Sequence, residues 1–495
     1  MHRLLPSLIL LTIATCSGTR GLLAQSRILN RNPQGFRSPV IQGGHSDASL
    51  FDVPPAPGTG GGVADRLSKV EDWINKQQAG IDKKKVDAAK KPTFKIGGRI
   101  HADYWGYPRQ SDGIGFFENP NPASSAFGNE PENRFLFRRI RLEMRGDIFE
   151  TMMWRMQVDF NNPSSAEIKD VWIGFKNLPG NQRLLIGNQK RPLGLDHLNS
   201  SRFNVFAERP LVVEAFNEDA RRPGVTMYGN TEDNSWGWAY GVYLLENVSR
   251  DGRYIGDSTQ ASGNVRLFNS PYYENDGADY FHWAVAAMFA KPDGDVDPGD
   301  TNANDGRFRT RTQSRASSRW LDTGRIPGAD WYEVLAFEAM YNAGPLQIVS
   351  EYQFNWMQRD VGTPGTGPDL FFHGAYVYVS YFLTGEHMAY NRKSGTLDRL
   401  HPRENFWLAD RCRGCHGHGW GAWQIAARYS YLDLTDNDIR GGLGNIFELG
   451  LNWHWTSHSQ LQFSVMWGDI EQHRPVAGFT DGNFTTVGAR FQADF

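Results

Sequence analysis

The sequence predicts an all-β fold, a transmembrane antiparallel β-barrel of about 16 strands with a short N-terminal coiled-coil-like helix. Three observations support this. From Phe94 onward, apolar and polar residues alternate, as in strands with one lipid-facing and one water-facing side. Aromatic residues make up 13 % of the chain and glycine contributes 53 residues, yet no apolar run after the N-terminus approaches the ~18–20 residues of a membrane helix. The chain also ends in an alternating stretch with a terminal phenylalanine, Phe495.

Residues 1–24 predict a secretory signal peptide. Arg3 provides the basic start, residues 4–14 the apolar core, and Ala24 a cleavage point. The segment is too short to span a membrane as a helix. Cys16 suggests a lipoprotein signal as an alternative, which Thr15 before it matches poorly.

Between the signal peptide and the barrel, the sequence predicts a linker and a helix. Residues 25–62 are rich in glycine, proline, asparagine and serine, which is typical of a flexible linker. Within residues 63–92, one stripe recurs at alternating spacings of four and three, which is the pattern of a heptad helix. The stripe comprises Val63, Leu67, Val70, Ile74, Gln77 and Ile81. It fits either a helix lying on a neighbour or a short oligomerising coiled coil, followed by a basic linker at 83–91.

Residues 93–495 form the predicted barrel. In the segment 154–160, Trp154 and Val158 share an apolar face, whereas Arg155 and Asp159 lie on the opposite face. A dry protein core does not tolerate such charges, but a water-filled lumen does. The alternation places sixteen strands near 94–106, 133–146, 151–162, 166–177, 182–191, 221–229, 235–246, 280–290, 306–315, 331–343, 345–358, 371–384, 420–432, 444–455, 459–469 and 484–495.

The strand order predicts which connections lie on each side of the membrane. With both termini in the periplasm, odd-numbered strands run outward. Residues 192–220 then form the third outer loop, and the long segment 386–419 lies on the periplasmic side. The closing strand, ending in Phe495, looks like the signal that the barrel-assembly machinery recognises.

Several ordered blocks of sequence resemble the phosphate-selective porin O/P family. The blocks are FLFRRIRLEMRGDIF (135–149), GNQKRPLGLDHLNSSRFNVFAERPLV (187–212), RRPGVTMYG (221–229), SYFLTGEHMAYNRKSGTLDRLHP (380–402), GWGAWQIAARYSYLDL (419–434), NWHW (452–455) and GARFQADF (488–495). Members of this family are trimeric 16-stranded barrels of the outer membrane. The resemblance covers nearly all of residues 93–495.

The resemblance implies passive diffusion of small anions, with phosphate or polyphosphate as the namesake solutes. It further implies that the third loop folds into the lumen and that arginines and lysines form a ladder toward a constriction. The candidate pore and anion-binding residues are Arg139, Arg141, Arg145, Lys190, Arg191, Arg202, Arg221, Arg222, Arg307, Arg309, Arg311 and Arg428. Arg138 has the lipid-facing parity, which a β-bulge or a position at the rim would reconcile with the family's paired arginines.

Carboxylates reduce the predicted positive charge of the lumen and of the third loop. The lumen faces carry Glu143, Asp159, Glu338 and Glu351, and the third loop carries Glu208, Glu214, Glu218 and Asp219. We expect the loop carboxylates to pair with loop arginines and hold the loop's shape. The resulting prediction is a mild anion preference. A general diffusion porin and a barrel that tethers the envelope are the alternatives.

A cysteine segment suggests a further, minor alternative. Cys412, Cys415 and His416 match the CxxCH pattern of haem c attachment. With His418 they also match a zinc-binding group. The third interpretation is an ordinary turn with a structural or incidental thiol pair, and the prediction is a protein without a cofactor.

The remaining features give no support to other functional classes. The net charge of −3 gives no support to nucleic-acid binding. The histidines show no accompanying nucleophile motif, so we predict no enzymatic activity. The predicted partners are outer-membrane lipid, small anionic solutes and two further copies of the chain in a homotrimer.

Overall fold

The structure is a computed structural model. It describes residues 68, 70–76 and 78–79 and, with gaps at 163, 219, 248–258, 296–303, 408 and 413–414, residues 92–495. The predicted signal peptide, linker and basic run lie outside the described residues. Residues 70–76 are helical, as predicted, and Val70 and Ile74 are 47 % and 52 % exposed. The coiled-coil partner that would cover them stays a prediction.

Sixteen antiparallel strands, all within the described residues, form one closed barrel. In chain order they are β1 (Lys95–Gln110), β2 (Arg134–Ile148), β3 (Met152–Asp159), β4 (Glu167–Leu178), β5 (Gln182–Lys190), β6 (Arg221–Asn230), β7 (Trp236–Leu244), β8 (Ala261–Glu274), β9 (Asp279–Lys291), β10 (Ala329–Ala343), β11 (Leu346–Arg359), β12 (Leu370–Phe382), β13 (Ala422–Asp436), β14 (Ile439–Thr456), β15 (Ser459–His473) and β16 (Gly482–Asp494). Each strand pairs with its sequence neighbours, and β1 pairs with β16.

Short elements lie in the connections between barrel strands. The helices are α1 (Asp112–Glu118), α2 (Leu195–Leu198) and α3 (Leu211–Phe216), with a 3-10 turn at Asn275–Gly277. Three small strand pairs join Arg309–Thr310 to Leu321–Asp322, Tyr390–Asn391 to Thr396–Leu397, and Ala409–Cys412 to Cys415–Gly417. No helix among the described residues has the length and apolar composition needed to cross a membrane.

The two faces of each strand differ as the alternation predicts. On β14, Phe447 and Leu449 are both 44 % exposed on the outer face. Glu448 between them is 0 % exposed, and Asn452 is 1 % exposed, on the lumen face. The outer surface is therefore apolar and the interior polar, which is the distribution that lipid outside and water inside require.

The terminal phenylalanine closes the barrel against β1. The backbone N–H of Gly98 donates to the Phe495 carbonyl at 3.0 Å, and the Phe495 N–H donates to the Gly98 carbonyl at 3.1 Å. A Cβ atom on Gly98 would lie 2.5 Å from the Phe495 ring. Glycine at this position is what lets the last residue pack this closely.

The strand count is correct, but the predicted strand list is wrong at two positions. Residues 306–315 are not a barrel strand, since only Arg309–Thr310 is extended and it pairs within a loop. The missed strand is β8, whose outward residues include Val265 and Leu267. Its alternation is weakened by a Ser-Gly-Asn start and by a register shift between Asn269 and Tyr272. The two errors cancel in the count.

Described parts of three connections fold into the lumen, and the inward part of the periplasmic one is residues 386–402. Loop L3 (191–220) and loop L5 (292–328) lie at the end with longer connections, and the periplasmic segment (383–421) lies at the end with short turns. Short turns mark the periplasmic end of such barrels. The predicted third loop and the predicted side of residues 386–419 are thus in agreement with the fold.

Candidate functional site: a cation-lined cavity in the lumen

Loop L3 is fastened to the barrel wall by its backbone. The Glu351 carboxylate on β11 accepts hydrogen bonds from the N–H groups of Leu195 (3.0 Å) and Asp196 (2.6 Å). Asn452 on β14 donates to the Val205 carbonyl at 2.8 Å. These contacts explain why a loop without regular structure over most of its length is held across the pore.

The apolar residues of L3 pack on lumen-facing aromatic residues. Leu193, Leu195 and the first residues of α3 are 0 % exposed. The ring of Phe206 lies 5.7 Å from that of Tyr378, and the Arg428 guanidinium lies 4.3 Å from the Phe206 centroid. Burial of these side chains stabilises the inward position of the loop.

Glu208 is the main ionic anchor of L3. It accepts hydrogen bonds from Arg138 at 2.7 Å and from Arg490 at 2.6 Å, while its backbone carbonyl accepts from Arg428 at 3.0 Å. Burial alone would raise the pKa of Glu208, but Arg138 and Arg490 hold it well below its usual range. Arg138 reaches the lumen because it is the extra residue of a β-bulge opposite His101 and Ala102, as the parity required.

Among the described residues, none of the carboxylates named in the expectation pairs with an arginine of L3, so the expectation is wrong for Glu208, Glu214 and Glu218. The pair that does form within L3 involves a carboxylate outside that expectation. Asp196 pairs with Arg209 at 3.3 Å. Glu208 instead pairs with wall arginines, and Glu214 and Glu218 pair with arginines of L5. Asp219 lies outside the described residues. A carboxylate's partner is set by the fold, which brings distant segments together.

The arginines predicted at 306–315 fasten L5 and lie outside the main cavity. Arg307 pairs with Asp322, Arg309 with Glu218 at 2.7 Å, and Arg311 with Glu214 at 3.8 Å. They fold beside α3, which brings L5 and L3 into contact. The basic stripe is therefore part of the loop packing.

A cavity of about 340 Å³ remains between L3 and the wall formed by β1–β6. Among the described residues, eight cationic side chains and one carboxylate line it. The cations are Arg99, Arg139, Arg141, Arg155, Arg183, Lys190, Arg209 and Arg221, and the carboxylate is Asp170. In a narrow passage with low-dielectric walls, such an excess concentrates anions.

Some of these cations are neutralised by nearby carboxylates. Arg141 pairs with Asp159, its Nε lying 3.0 Å from the carboxylate, and Arg221 pairs with Asp170 at 2.7 Å. Arg155 pairs with Glu143 at 2.7 Å. Arg209 pairs with Asp196, and Arg99 lies 3.9 Å from Glu143. These pairs reduce the local excess of positive charge in the cavity.

Two arginines of the cavity have no such partner. In the part of the chain that the structure describes, no carboxylate lies within ion-pair distance of Arg139 or Arg183. Arg139 contacts the His101 ring at 3.2 Å, and Arg183 lies 5.3 Å from the centroid of Tyr228. Arg139 is 4 % exposed and Arg183 is partly buried, and both line the cavity without a described carboxylate at ion-pair distance.

Lys190 directs its ammonium group at the backbone of L3. Its ammonium donates to the carbonyls of His197 (2.7 Å), Leu198 (3.0 Å) and Asn199 (2.9 Å). An ammonium has three N–H donors, so all are used by L3. Its charge contributes to the potential, while its hydrogen bonds hold the loop.

The structure brings four of the predicted residues together in this cavity: Arg139, Arg141, Lys190 and Arg221. Arg145 has the lumen parity, but its side chain is 61 % exposed away from the cavity. Arg202 pairs with Asp494 at 3.1 Å, and Arg428 pairs with Glu448. Arg191, Arg222, Arg307 and Arg309 line a smaller pocket of about 40 Å³ between L3 and L5.

Sequence reasoning missed four cationic residues of the cavity. Arg99, Arg155 and Arg183 lie at lumen positions of strands that were correctly predicted, so their parity was a usable signal. Arg209 lies in L3, where no periodicity identifies an inward side chain.

The periplasmic hairpin, residues 386–402, fills the lumen from the other end. Tyr390 stacks on Tyr280 of β9 with 4.9 Å between centroids. Arg266 of β8 donates to the carbonyls of Ser394 (3.0 Å) and Gly395 (2.9 Å). The hairpin also meets L3, because the Leu397 N–H donates to Asn199 Oδ1 at 3.0 Å.

The cysteine segment forms a small hairpin in which Cys412 lies opposite Cys415. Their side chains and that of His416 lie outside the described residues. His418 is exposed, with its ring 5.6 Å from Trp407. Within the described side chains no group of three or more potential ligands is placed to hold a metal, and the haem and zinc interpretations stay predictions.

Comparison with known proteins identifies the family. The chain matches the model of the family "Phosphate-selective porin O and P" over residues 94–495. A protein of Caulobacter vibrioides is 27 % identical over 368 residues, which cover 72 % of this chain and 68 % of that protein. Porin O of Pseudomonas aeruginosa is 25 % identical over 420 residues, covering 77 % and 84 %.

Solved porin structures are also similar. OmpT of Vibrio cholerae lacking loop L8 aligns with a TM-score of 0.47 at 10 % identity, covering 81 % of this chain and 99 % of that one. An anion-selective porin of Comamonas acidovorans aligns with a TM-score of 0.44 at 11 % identity, covering 82 % and 100 %. The family match spans the whole barrel, and the chain therefore belongs to the phosphate-selective porin O and P family and is an outer-membrane porin.

Proposed function

We propose that this porin passes small anions by diffusion, with phosphate among them, through the cation-lined cavity. The observation that carries the proposal is the eight cations against one carboxylate around that cavity. Arg139 and Arg183 supply charge that no described carboxylate compensates. The guanidinium group of an arginine binds phosphate or carboxylate oxygens through two parallel N–H donors, so the same side chains suit inorganic phosphate and small carboxylates.

The ion pairs at Arg141, Arg155 and Arg221 moderate this preference. Because their charges are shared with carboxylates, the cavity holds several weak sites in place of one deep site. Conduction requires this balance, since an anion must enter readily and also leave. The proposal is therefore a preference for anions, with phosphate or polyphosphate as solutes and without a requirement for a cofactor or a catalytic step.

The experiment is conductance of the full-length protein in planar bilayers. The reversal potential across a KCl gradient reports the ion preference, and phosphate is then added to chloride to test for block. We expect chloride to be the more permeant ion and phosphate to reduce the chloride current. A reversal potential of the cation-permeant sign would overturn the proposal, and one near zero would favour a general diffusion porin.

We further propose a homotrimer that the barrel-assembly machinery inserts into outer-membrane lipid. Supporting features are the apolar outer face and the terminal Phe495, which is 68 % exposed. Chemical cross-linking in membranes should give a three-chain product, and deletion of Phe495 should reduce the amount of folded barrel. A single-chain product after efficient cross-linking would contradict the trimer.

A further inference from the structure

We propose that the cavity prefers organic anions with an apolar or aromatic body over hydrophilic anions of the same charge. This inference rests on the proposed anion-porin function and adds the class of solute. It comes from the non-charged part of the cavity wall. The apolar and aromatic residues that line the cavity beside the eight cations are Met153, Trp172, Leu185, Leu198 and Tyr228.

Four of these residues form a continuous strip on the wall. Met153, Trp172, Leu185 and Tyr228 come from the adjacent strands β3, β4, β5 and β6. Met153 and Leu185 lie at the same level, because both pair with Gly174 of β4. The glycine carries no side chain that would separate them, so the strip is unbroken across these strands.

Elsewhere in the lumen, large apolar side chains are covered by an inward segment. Tyr280 is 0 % exposed beneath Tyr390 of the periplasmic hairpin. Tyr378 is 4 % exposed beneath Phe206 of L3. Such residues are explained by packing, since they anchor the segments that fill the pore.

The strip on β3–β6 is less completely covered. Met153, Trp172 and Tyr228 are only partly buried, although they point into the same lumen as the covered residues. Apolar surface left facing a water-filled passage costs free energy and is a sign of an interaction site. The occupant must also satisfy the neighbouring cations, which points to an anion with an apolar body.

Cationic and apolar groups alternate along the strip. Arg155 pairs in register with Trp172, and Arg183 pairs in register with Tyr228, whose ring it approaches to 5.3 Å. A carboxylate or sulfonate on the arginine would place an attached ring against the neighbouring aromatic side chain. A polyhydroxylated anion forms the contact with the arginine but has no ring to place against the aromatic side chain.

The cavity is large enough for such a solute. Its volume of about 340 Å³ lies at the lower end of the ~300–1,000 Å³ found for small-molecule sites. An inorganic anion fills only part of this space. A monocarboxylate with one ring occupies both the cationic and the apolar parts.

The test compares benzoate with gluconate as blockers of chloride current through the full-length porin in planar bilayers. Both are organic monocarboxylates, but only benzoate carries an apolar body. We expect the half-blocking concentration of benzoate to be about tenfold lower than that of gluconate. Equal values, in a channel whose reversal potential shows anion preference, would overturn this inference and leave the porin proposal intact.

Variants of the strip localise the effect. Trp172→Gln should reduce the ratio of the gluconate to the benzoate half-blocking concentration from about tenfold to about twofold, mainly by raising the benzoate value. Trp172→Phe, the matched control, should retain most of the ratio because it keeps a ring at the same position. Met153→Gln on the neighbouring strand is a second test if the Trp172 variant does not fold.

A charge variant separates the inferred preference for anions with an apolar body from the proposed anion-porin function. Arg183→Gln should raise both half-blocking concentrations in similar proportion, because it removes the contact that the two solutes share. A wild-type channel that prefers cations would contradict both the proposed anion-porin function and the inferred preference for anions with an apolar body. A benzoate preference that survives Trp172→Gln and Met153→Gln would contradict the assignment to this strip.

Discussion

The lumen has two sides that use arginine in opposite ways. On the packed side, formed by β9–β16 with the loops that cover it, Arg490 binds both Asp103 and Glu208 at 2.6 Å. On the open side, formed by β1–β6, Arg139 and Arg183 line a cavity and have no described carboxylate partner within ion-pair distance. The residue type and its lumen-facing parity are the same on both sides.

The difference shows that position within the barrel does not determine the role of a charge. A buried arginine whose donors are all matched fixes a loop, and it contributes little net potential because carboxylates accompany it. An arginine without such partners keeps its field and attracts a solute. On the packed side, wall carboxylates and Glu208 of L3 neutralise the arginines. On the open side, Arg139 and Arg183 keep their charge, and the proposed anion preference rests on this difference.

The largest effect is expected from Arg490→Gln on the packed side. The substitution leaves Asp103, which is 0 % exposed, without its cation and removes one of the two arginines on Glu208. Removal of one partner of a buried pair typically costs ~3–5 kcal/mol. We expect a lower unfolding temperature in detergent and a larger, noisier single-channel conductance as L3 loosens.

Removal of the stranded carboxylate, Asp103, provides the control for this variant. Arg490→Gln combined with Asp103→Asn should recover part of the lost stability, since it leaves no unpaired charge at this position. An Arg490→Gln variant with wild-type stability and conductance would show that the ion pairs do not fasten L3.

Lys190→Met tests an open-side cation whose hydrogen bonds hold L3. The change removes three hydrogen bonds to L3 carbonyls, and bonds to a charged group contribute ~1.5–3 kcal/mol each at most. We expect faster hydrogen exchange at the backbone amide of Asn199, which is bonded within α2. The matched control, Lys176→Met, removes a half-exposed pair with Asp147 and should leave L3 exchange unchanged.

A smaller effect is expected from Arg399→Gln in the periplasmic hairpin. Arg399 binds Asp494 with a contact of 3.1 Å, but Arg202 also binds that carboxylate at 3.1 Å, so no charge is stranded. A partly exposed pair contributes ~1 kcal/mol or less. The expected result is a modest increase in hydrogen exchange over residues 386–402 with unchanged barrel stability. Loss of the folded barrel would contradict it.

Much of the barrel could be predicted from the sequence, because alternation depends only on which face meets lipid. The faces of β3 and β14 and the inward direction of Arg139 and Arg141 follow from parity alone. The alternation of apolar and polar residues gives a wrong prediction where a loop sequence has the same two-residue spacing. Arg307, Arg309 and Arg311 have the spacing of a strand face, but their partners lie in L3 and L5.

The charge balance of the site could not be predicted, because it depends on partners that are distant in sequence. Arg138 and Glu208 are 70 residues apart, and Arg490 and Asp103 are 387 apart. Only the closed barrel and the inward loop bring them together. The sequence therefore supplies the set of lumen cations, and the fold determines which of them remain without a carboxylate.

The reversal potential of an Arg139→Gln/Arg183→Gln double variant in a KCl gradient tests the central claim most directly. The account predicts chloride preference in the wild type and a clear shift of the potential toward zero in the double variant, because both substituted arginines lack described carboxylate partners while Lys190 keeps its charge. Arg145→Gln, whose side chain is 61 % exposed outside the cavity, is the control and should keep the wild-type potential. An unchanged potential in the double variant would contradict the assignment of ion preference to the open side of the lumen.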